Sequence, residues 1–198
     1  MSRFIETIRL QDGLLGNLDF HQLRMDDSIR EIYGAQSSIN LKEFLSSCPV
    51  PTEGLYKIKL VYNNEVQSVH VSSYSTKKVS RLQLIHSNSI SYAHKFEDRS
   101  ELNKLFEQRE NCDDIIIVKK DHITDASYAN LAFYRDGKWF TPSTCLLKGT
   151  MRTQLLEQKI ILEEEITIKD IDRYEKVKLI NAMLQFDGPE IEVSQIVG

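Results

Sequence analysis

Several features that would point directly to a function are missing from this 198-residue sequence. It has only three cysteines, Cys48, Cys112 and Cys145, and none stands at the spacing of a metal-ligand motif. Their odd number and wide scatter argue against a disulfide framework and fit a reducing cytoplasm. We therefore expect no metal site, no catalytic cysteine and a cytoplasmic location.

Charge and hydropathy exclude two further classes of protein. The formal net charge is -4 and no basic run interleaved with aromatic residues is present, so nucleic acid is not an expected partner. No segment approaches the roughly 18 consecutive apolar residues of a membrane-spanning helix. The first residues also lack the apolar stretch of a signal peptide. We expect no membrane association.

The most informative stretch runs from Ile123 to Arg152. Two extended runs rich in aromatic and apolar residues, Leu131 to Tyr134 and Lys138 to Thr141, flank the tripeptide Arg135-Asp136-Gly137. Asp-Gly between two such runs is a strong short-range signal for a β-hairpin. The sequence therefore predicts a hairpin here.

A carboxylate and a glycine lie on either side of this hairpin. Asp125 precedes it, with Asn130 five residues later, and Gly149-Thr150 follows it. Apolar residues then recur at helical spacing. A glycine and the unpaired N–H groups of a helix start can bind an anion, phosphate above all. A glycine before a helix is more often only a loop residue, so spacing alone leaves both interpretations open.

The first third of the chain predicts a small α/β unit. A strand from Phe4 to Leu10 turns at Asp12-Gly13, and a helix follows that Asn17 or Asp19 could cap and Gly34 closes. The apolar stripe expected on this helix is Leu18, Leu23, Ile29 and Ile32. A short helix from Leu41 to Leu45 and two strands, Leu55 to Tyr62 and Val66 to Ser73, complete the unit.

Two pairs of residues in this unit could carry function. His21 and Arg24 lie three apart on the first helix and share a face, although spacing alone favours a solvated surface role for Arg24. In the strand that begins at Leu55, alternation places Lys57 and Lys59 on one face and Ile58 and Leu60 on the other.

The rest of the chain alternates strands with short helices. Four β-branched residues, Ile115 to Val118, predict a strand that is buried on both faces. The acidic run Glu163 to Glu165 is interpreted as a solvated connection. The other expected elements are strands at Val79 to Ile85, Ile160 to Leu162 and Val177 to Ile180, and helices at Glu101 to Gln108 and Lys169 to Tyr174.

Several ordered motifs resemble the class IV family of pyridoxal-phosphate-dependent aminotransferases. ITDASYANLAFYRDGKWFTP resembles the family signature T-E-x-x-x-x-N-hydrophobic…G…T-P, and LLKGTMR resembles L-x-G-I-[TM]-R. Lys95 to Arg99 is similar to the family's K-x-x-N-R. Two positions depart from the pattern: Asp98 stands for asparagine and Asp125 for glutamate. The Gly-x-Met-Arg form and the Ile180-Asn181-Ala182-Met183 segment are most similar to the family's 4-amino-4-deoxychorismate lyases.

The resemblance implies an α/β (α+β) fold of the D-amino-acid-aminotransferase-like type, fold type IV. It would comprise a small α/β domain over residues 1–62 and a larger barrel-like domain over residues 63–198, with the cofactor between them. Against the family the chain looks truncated at the N-terminus, and its interdomain loop is reduced to Asn63-Asn64. Family members are homodimers, so a homodimer is expected.

The resemblance also implies a role for each candidate residue. Lys95 would be the catalytic lysine and bond covalently to pyridoxal 5'-phosphate. Asp125 would pair with the pyridine nitrogen, Arg24 would bind the phosphate, and Leu147 would pack on the ring. The other cofactor-binding positions are Asn130, Gly149, Thr150 and Met151. Lys57, Asn181 and Ala182 match substrate positions, and for Lys57 a solvated strand face is an equal alternative.

Three functions are compatible with these motifs. The expected one is a lyase that converts 4-amino-4-deoxychorismate to p-aminobenzoate and pyruvate. The alternatives are an amino-acid transaminase of the branched-chain or D-amino-acid type, and a cofactor-binding homologue without turnover. The sequence leaves them open because the segments expected to contact the substrate are the shortened ones.

Overall fold

The computed structural model describes residues 2–198, which form two compact units. The first unit holds the residues up to Ser75 together with His94–Asp98, and the second holds Thr76–Ala93 and Arg99–Gly198. No helix among residues 2–198 has the length and apolar character needed to cross a membrane. The expected domain boundary after residue 62 stays a prediction, and the first compact unit extends past it.

The first unit is an antiparallel sheet of four strands with two helices. The strand order is β2-β1-β3-β4. The elements are β1 (Phe4–Gln11), β2 (Leu14–Leu15), α1 (Leu18–Tyr33), α2 (Leu41–Ser46), β3 (Leu55–Tyr62) and β4 (Val66–Ser73). This confirms the predicted strands and helices, and β3 and β4 have the predicted bounds. The unit extends to Ser75 because β4 pairs along the whole length of β3.

Glycines end two of these elements where the chain needs a left-handed backbone. Asp12 and Gly13 have φ values of 49° and 80° and turn β1 into β2. Gly34, at φ 63°, ends α1 and donates its N–H to the Arg30 carbonyl. At the other end Asn17 occupies the N-cap position, one of the two predicted, but its side chain makes no capping hydrogen bond.

The buried face of α1 differs from the predicted apolar stripe. Leu23 and Ile32 are 58% and 41% exposed, so their assignment to the stripe was wrong. The buried residues of α1 are His21, Met25, Ser28 and Ile29. The reason lies on β1, where Glu6 is fully buried on the face that also presents Phe4, Ile8 and Leu10 to the core. A buried carboxylate requires polar partners, and the polar residues of α1 turn toward it.

Residues 94–98 add a short paired segment to β1. The Ile5 N–H donates to the Lys95 carbonyl at 2.9 Å, and the Glu97 N–H donates to the Arg3 carbonyl at 2.8 Å. The rings of Phe4 and Phe96 stack with centroids 5.3 Å apart. The backbone of Lys95 is therefore fixed by the sheet of the first unit.

The second unit contains two sheets that share one apolar core. The sheet orders are β10-β9-β8-β11-β12 and β13-β5-β6-β7. The strands are β5 (Leu82–His86), β6 (Asp114–Lys119), β7 (His122–Ala126), β8 (Asn130–Arg135), β9 (Lys138–Pro142), β10 (Ile161–Glu164), β11 (Lys176–Ile180), β12 (Glu190–Glu192) and β13 (Ile196–Val197). The helices are α3 (Ser100–Phe106), α4 (Thr150–Glu157) and two 3-10 helices, Ile168–Arg173 and Val193–Gln195.

Most predicted elements of this unit are confirmed. The β8–β9 hairpin turns at Asp136 and Gly137, with φ values of 50° and 75°. Residues 115–118 of β6 are completely buried. The run Glu163 to Glu165 is not simply a solvated connection, because Glu163 and Glu164 lie in β10 and form ion pairs with Arg152 and Arg135. Sequence reasoning missed β7, β12 and β13.

Candidate active site

Asp125 is the centre of a hydrogen-bonded group in the second unit. It lies near the end of β7, and its side chain is almost entirely buried. Its Oδ2 accepts hydrogen bonds from the N–H groups of Leu146 and Leu147, at 3.0 and 2.9 Å. Its Oδ1 accepts one from Asn130 Nδ2 at 2.7 Å. Three donors therefore surround a carboxylate that can accept about four.

Burial sets the ionisation of this carboxylate. Removal from water raises the pKa of Asp125 to about 6, against the opposing effect of its hydrogen bonds with Leu147 and Asn130 and of the nearby Arg152 charge. A cationic group that arrived at the carboxylate would favour the ionised form and lower this pKa. The environment is suited to a carboxylate that shares a proton with a bound partner.

Asn130 connects Asp125 to the loop that follows the hairpin. Besides its bond to Asp125, its Nδ2 donates to the Leu147 carbonyl at 2.8 Å. Both amide hydrogens are therefore used within the protein. Asn130 thus holds Asp125 and the 146–147 loop in a fixed arrangement, and direct contact with a cofactor stays a prediction for it.

Gly149 is required by the close approach of Asn130. A Cβ atom at position 149 would lie 2.0 Å from Asn130 Oδ1. The glycine backbone, at φ -68° and ψ 143°, is open to any residue, so the requirement is one of space and not of conformation. The glycine lets the start of α4 pack directly against the amide that holds Asp125.

Helix α4 presents its first N–H groups immediately after this glycine. Thr150 and Met151, its first two residues, are buried. The first N–H groups of a helix lack intrahelical acceptors and carry the positive end of the helix dipole. A phosphate is the group that such a terminus binds best.

Arg152 fixes this helix to the sheet and was not assigned a role from the sequence. Its Nη2 donates to the Pro142 carbonyl at 3.0 Å and to Glu163 Oε1 at 2.5 Å, and its Nε donates to Thr141 Oγ1 at 3.2 Å. The side chain is buried. The only feature of the sequence that could have singled out Arg152 is its position at the end of the LLKGTMR motif. An arginine in the first turn of a short helix would otherwise attract no attention.

Asn181 shapes the turn after β11. Its Oδ1 accepts the N–H groups of Met183 and Leu184, both at 2.9 Å, and its Nδ2 donates to the Tyr128 carbonyl at 3.2 Å. Ala182 lies within this turn and is half-buried. The side chain of Asn181 therefore holds the turn, and the substrate contacts expected of Asn181 and Ala182 stay predictions.

In the first unit, Arg24 is held by Glu6. Its Nε donates to Glu6 Oε1 at 3.0 Å and its Nη2 to Glu6 Oε2 at 2.5 Å. His21 Nδ1 lies 2.5 Å from the same Oε2. The expectation that His21 and Arg24 share a face is confirmed, and the sequence missed the carboxylate that joins them. The available signal was a glutamate in the apolar alternation of β1.

The three groups form a buried charged network. Burial alone would raise the pKa of Glu6, but the Arg24 charge and the hydrogen bonds from His21 and Arg24 outweigh burial and lower this pKa to about 2. Burial lowers the pKa of His21, opposed by Glu6 and assisted by the charges of Arg24 and Lys95. Glu6 is therefore ionised and His21 neutral at pH 7.

The two basic residues of the proposed K-x-x-N-R motif lie in different compact units. Lys95 is half-buried and belongs to the segment paired with β1. Arg99, which precedes α3, belongs to the second unit and donates from Nη2 to the Ser127 carbonyl at 2.6 Å. Arg99 therefore anchors the chain beside the strand end that carries Asp125.

Lys57 and Lys59 lie on the outer face of the first sheet, as alternation predicted. Ile58 and Leu60 are completely buried on the opposite face. The register places Lys57 opposite Arg9 of β1 and Lys59 opposite His70 of β4. Among the described residues of β1, β3 and β4, this face carries no aspartate or glutamate. The basic side chains that these strands contribute to this face are Arg9, Lys57 and Lys59.

Comparison with known proteins identifies the family. The sequence model of amino-transferase class IV matches residues 3–186. An uncharacterized protein of Haemophilus influenzae is 37% identical over 186 residues, which cover 92% of this chain and 98% of that protein.

Solved structures agree with this assignment. A protein of Haemophilus somnus 129PT, provisionally named a 4-amino-4-deoxychorismate lyase, is 34% identical with a TM-score of 0.87, over 92% of this chain and 97% of that one. A hypothetical aminotransferase from Mycobacterium tuberculosis, in its PLP-bound form, is 14% identical with a TM-score of 0.79 over 98% and 81% of the two chains, which shows the fold alone. The predicted fold class is confirmed. The chain belongs to the class IV aminotransferase family of pyridoxal-phosphate-dependent enzymes.

Proposed function

We propose that this enzyme is a lyase that converts 4-amino-4-deoxychorismate to p-aminobenzoate and pyruvate. The reaction removes a ring proton and breaks the C–O bond of the enolpyruvyl ether, and the ring becomes aromatic. Every atom of the substrate is recovered in the two products. No keto acid is consumed, and this separates the reaction from a transamination.

The residues of the second unit fit one end of pyridoxal phosphate. Asp125 Oδ1 accepts a hydrogen bond from Asn130, and a carboxylate oxygen can accept a second one. We assign this position to the protonated pyridine nitrogen. The N–H groups of Thr150 and Met151 after Gly149 are assigned to the phosphate, and Leu147 to the ring face. Bound pyridoxal phosphate supplies an electron sink for the substrate carbon.

In the first unit, Arg24 and Lys95 are assigned to the same cofactor. A guanidinium matches a phosphate in charge and in the geometry of its N–H groups. Lys95 would hold the cofactor covalently and, once the substrate amine displaces it, move the ring proton as general base and then general acid. Because the Lys95 backbone is paired with β1, the position from which this side chain extends is fixed.

The observation that favours the lyase is the basic outer face of the first sheet. 4-Amino-4-deoxychorismate carries two carboxylates, one on the ring and one on the enolpyruvyl group. Lys57 and Lys59 are two residues apart on one strand face, which separates their Cα atoms by about 7 Å. Arg9 lies opposite Lys57 on the facing strand and adds a third basic side chain to this surface. We expect a surface with this group of basic side chains to attract a dianionic ligand.

The direct test is incubation of the purified, cofactor-loaded protein with 4-amino-4-deoxychorismate and no keto acid. We expect p-aminobenzoate and pyruvate to form in equal amounts. Lys57→Met removes the charge and keeps the aliphatic stem, and it should raise KM with a smaller change in kcat. Lys104→Met is the matched control, since Lys104 is an exposed lysine on α3 whose ion pair is with Glu101.

Two outcomes would replace the lyase assignment. Exchange of amino groups between amino and keto acids, without products from 4-amino-4-deoxychorismate, would identify a transaminase. A visible cofactor band without turnover of either kind would identify a non-catalytic homologue. An unchanged KM in Lys57→Met would remove Lys57 from the substrate site even if the lyase activity is present.

We also propose that the active form is a homodimer, as the family resemblance implies. Light scattering coupled to size-exclusion chromatography measures the mass directly. A mass of one 22.9 kDa chain at micromolar concentration would contradict the dimer.

A further inference from the structure

A carboxylate in the core of the first unit calls for an explanation beyond stability. Glu6 is completely buried on the face of β1 that packs against α1, between the buried positions of Phe4 and Ile8. It is held ionised by Arg24 and His21. Buried ion pairs are poor stabilisers, because apolar replacements of similar volume are often neutral or stabilising. An apolar residue here would serve the core at least as well.

The network also leaves a polar atom without a partner. His21 donates from Nδ1 to the ionised Glu6 carboxylate, while its Nε2 is buried and has no hydrogen-bond partner among residues 2–198. Because Nδ1 carries the proton of the neutral ring, Nε2 is an unpaired buried acceptor, which is unfavourable. The network therefore lowers the stability of the fold in two ways, through the buried charge of Glu6 and through the unpaired Nε2 of His21. Such a cost is expected where a side chain must be held in one orientation.

The side chain held in this way is Arg24. Glu6 contacts its Nε and Nη2 atoms together, and a two-point contact fixes the plane of the guanidinium as well as its position. The Glu6 side chain is sealed from solvent, whereas 13% of the Arg24 side chain is exposed. Glu6 is thus the buried partner that holds the Arg24 side chain in place. It also sets the direction in which the opposite edge of the guanidinium points.

We propose that Glu6 is a positioning residue that aligns Arg24 for the cofactor phosphate, with His21 bracing the carboxylate. This inference rests on the proposed phosphate role of Arg24. It assigns Glu6 no contact with the cofactor or substrate. It also explains why an arginine is used, because a lysine ammonium is a point charge with no plane to align.

The test compares two ligands that differ only in the phosphate. Both pyridoxal 5'-phosphate and pyridoxal carry the aldehyde that would react with Lys95. The dissociation constant of pyridoxal divided by that of pyridoxal 5'-phosphate, each read from the visible absorbance band, therefore measures phosphate recognition alone. Glu6→Ala should lower this ratio by about tenfold, as for the loss of one well-oriented charge-assisted hydrogen bond. Glu6→Gln, which keeps the shape and one acceptor for Arg24, should give a smaller decrease and serves if Glu6→Ala fails to fold.

Two further variants separate alignment from simple destabilisation. Ile8→Ala removes a completely buried residue from the same face of β1, so it should lower stability and leave the ratio unchanged. In the background of Arg24→Ala, Glu6→Ala should have no further effect on the ratio, because the residue it aligns is gone.

The outcomes distinguish this inference from the assignments on which it rests. A wild-type protein that prefers the phosphate, with an unchanged ratio in both Glu6 variants, would overturn the role of Glu6 and leave the cofactor assignment intact. If Glu6→Ala lowered the ratio equally in the wild type and in the Arg24→Ala background, the role of Glu6 would also be overturned. If the wild type bound both ligands equally or bound neither, the phosphate role of Arg24 and this inference would fall together.

Discussion

Gly149→Ala tests whether the group around Asp125 depends on close packing. The new Cβ would lie 2.0 Å from Asn130 Oδ1 and 3.2 Å from its Cγ. Asn130 cannot move away without cost, because its Nδ2 is bonded to Asp125 and to the Leu147 carbonyl. The substitution must therefore displace either that amide or the start of α4.

The expected loss of stability follows from these contacts. Overpacking costs about 1–3 kcal/mol, and each of the two amide hydrogen bonds contributes about 1 kcal/mol. Alanine also restricts the unfolded chain, which returns about 0.4–1 kcal/mol. We expect Gly149→Ala to lower the free energy of unfolding by about 2–3 kcal/mol.

Urea denaturation of the cofactor-free protein measures this change. Gly16→Ala is the matched control, because a Cβ there would meet Arg9 atoms at 3.5 Å, an ordinary van der Waals distance. It should be close to neutral. If Gly149→Ala is equally neutral, the inferred clash is absent.

A double-mutant cycle makes the test specific. Asn130→Ala removes the atoms that the new Cβ would meet, so Gly149→Ala should cost little in that background. Equal destabilisation by Gly149→Ala with and without Asn130 would refute the proposed reason for the glycine.

Three further predictions concern single titratable or reactive groups. Borohydride reduction of the cofactor-loaded protein should leave a phosphopyridoxyl adduct on Lys95, which mass spectrometry can locate. Lys95→Ala should lose both this adduct and all turnover. An adduct on Lys57, Lys59 or Lys104 would contradict the assignment. The pKa of Asp125 in the folded protein is raised to about 6, so the free energy of unfolding should fall by up to about 3 kcal/mol as the pH rises from about 4 to above 6. Urea denaturation at a series of pH values measures this change, and Asp125→Ala should not show it. The pKa of Glu6 is lowered to about 2, so the folded protein should be about 3 kcal/mol more stable with Glu6 ionised than with Glu6 protonated. This difference should be fully present above pH 4.5 and disappear toward pH 2, and an identical loss of stability in acid in Glu6→Gln would contradict it.

Local signals in the sequence predicted most elements of the fold. The Asp-Gly dipeptides located the β1–β2 and β8–β9 hairpins, and alternation placed Ile58 and Leu60 inside and Lys57 outside. These features depend on neighbours in the chain. The buried face of α1 could not be predicted in this way, because it is set by Glu6 on another element. β13 was missed for a similar reason, since it is two residues long and pairs with β5 more than a hundred residues earlier.

The candidate site was predictable in its residues more than in their contacts. The motifs singled out Asp125, Asn130 and Gly149, and the structure places these three together. What the sequence did not show is that Asn130 supports Asp125 and that Gly149 makes space for Asn130. Such relations depend on side-chain geometry, which residue spacing does not contain. The roles assigned to Lys95, Arg24 and Lys57 toward ligands stay predictions.

The pairing of residues 94–98 with β1 has a consequence for how this chain could be divided. The polypeptide leaves the first unit after Ser75, returns to it for five residues that include Lys95, and leaves again at Arg99. A single cut at the first crossing would put Lys95 on a fragment that lacks the strand which fixes it. Neither half of such a split protein would carry a complete first unit, so fragment complementation, and not independent folding of each half, would be needed to place that lysine.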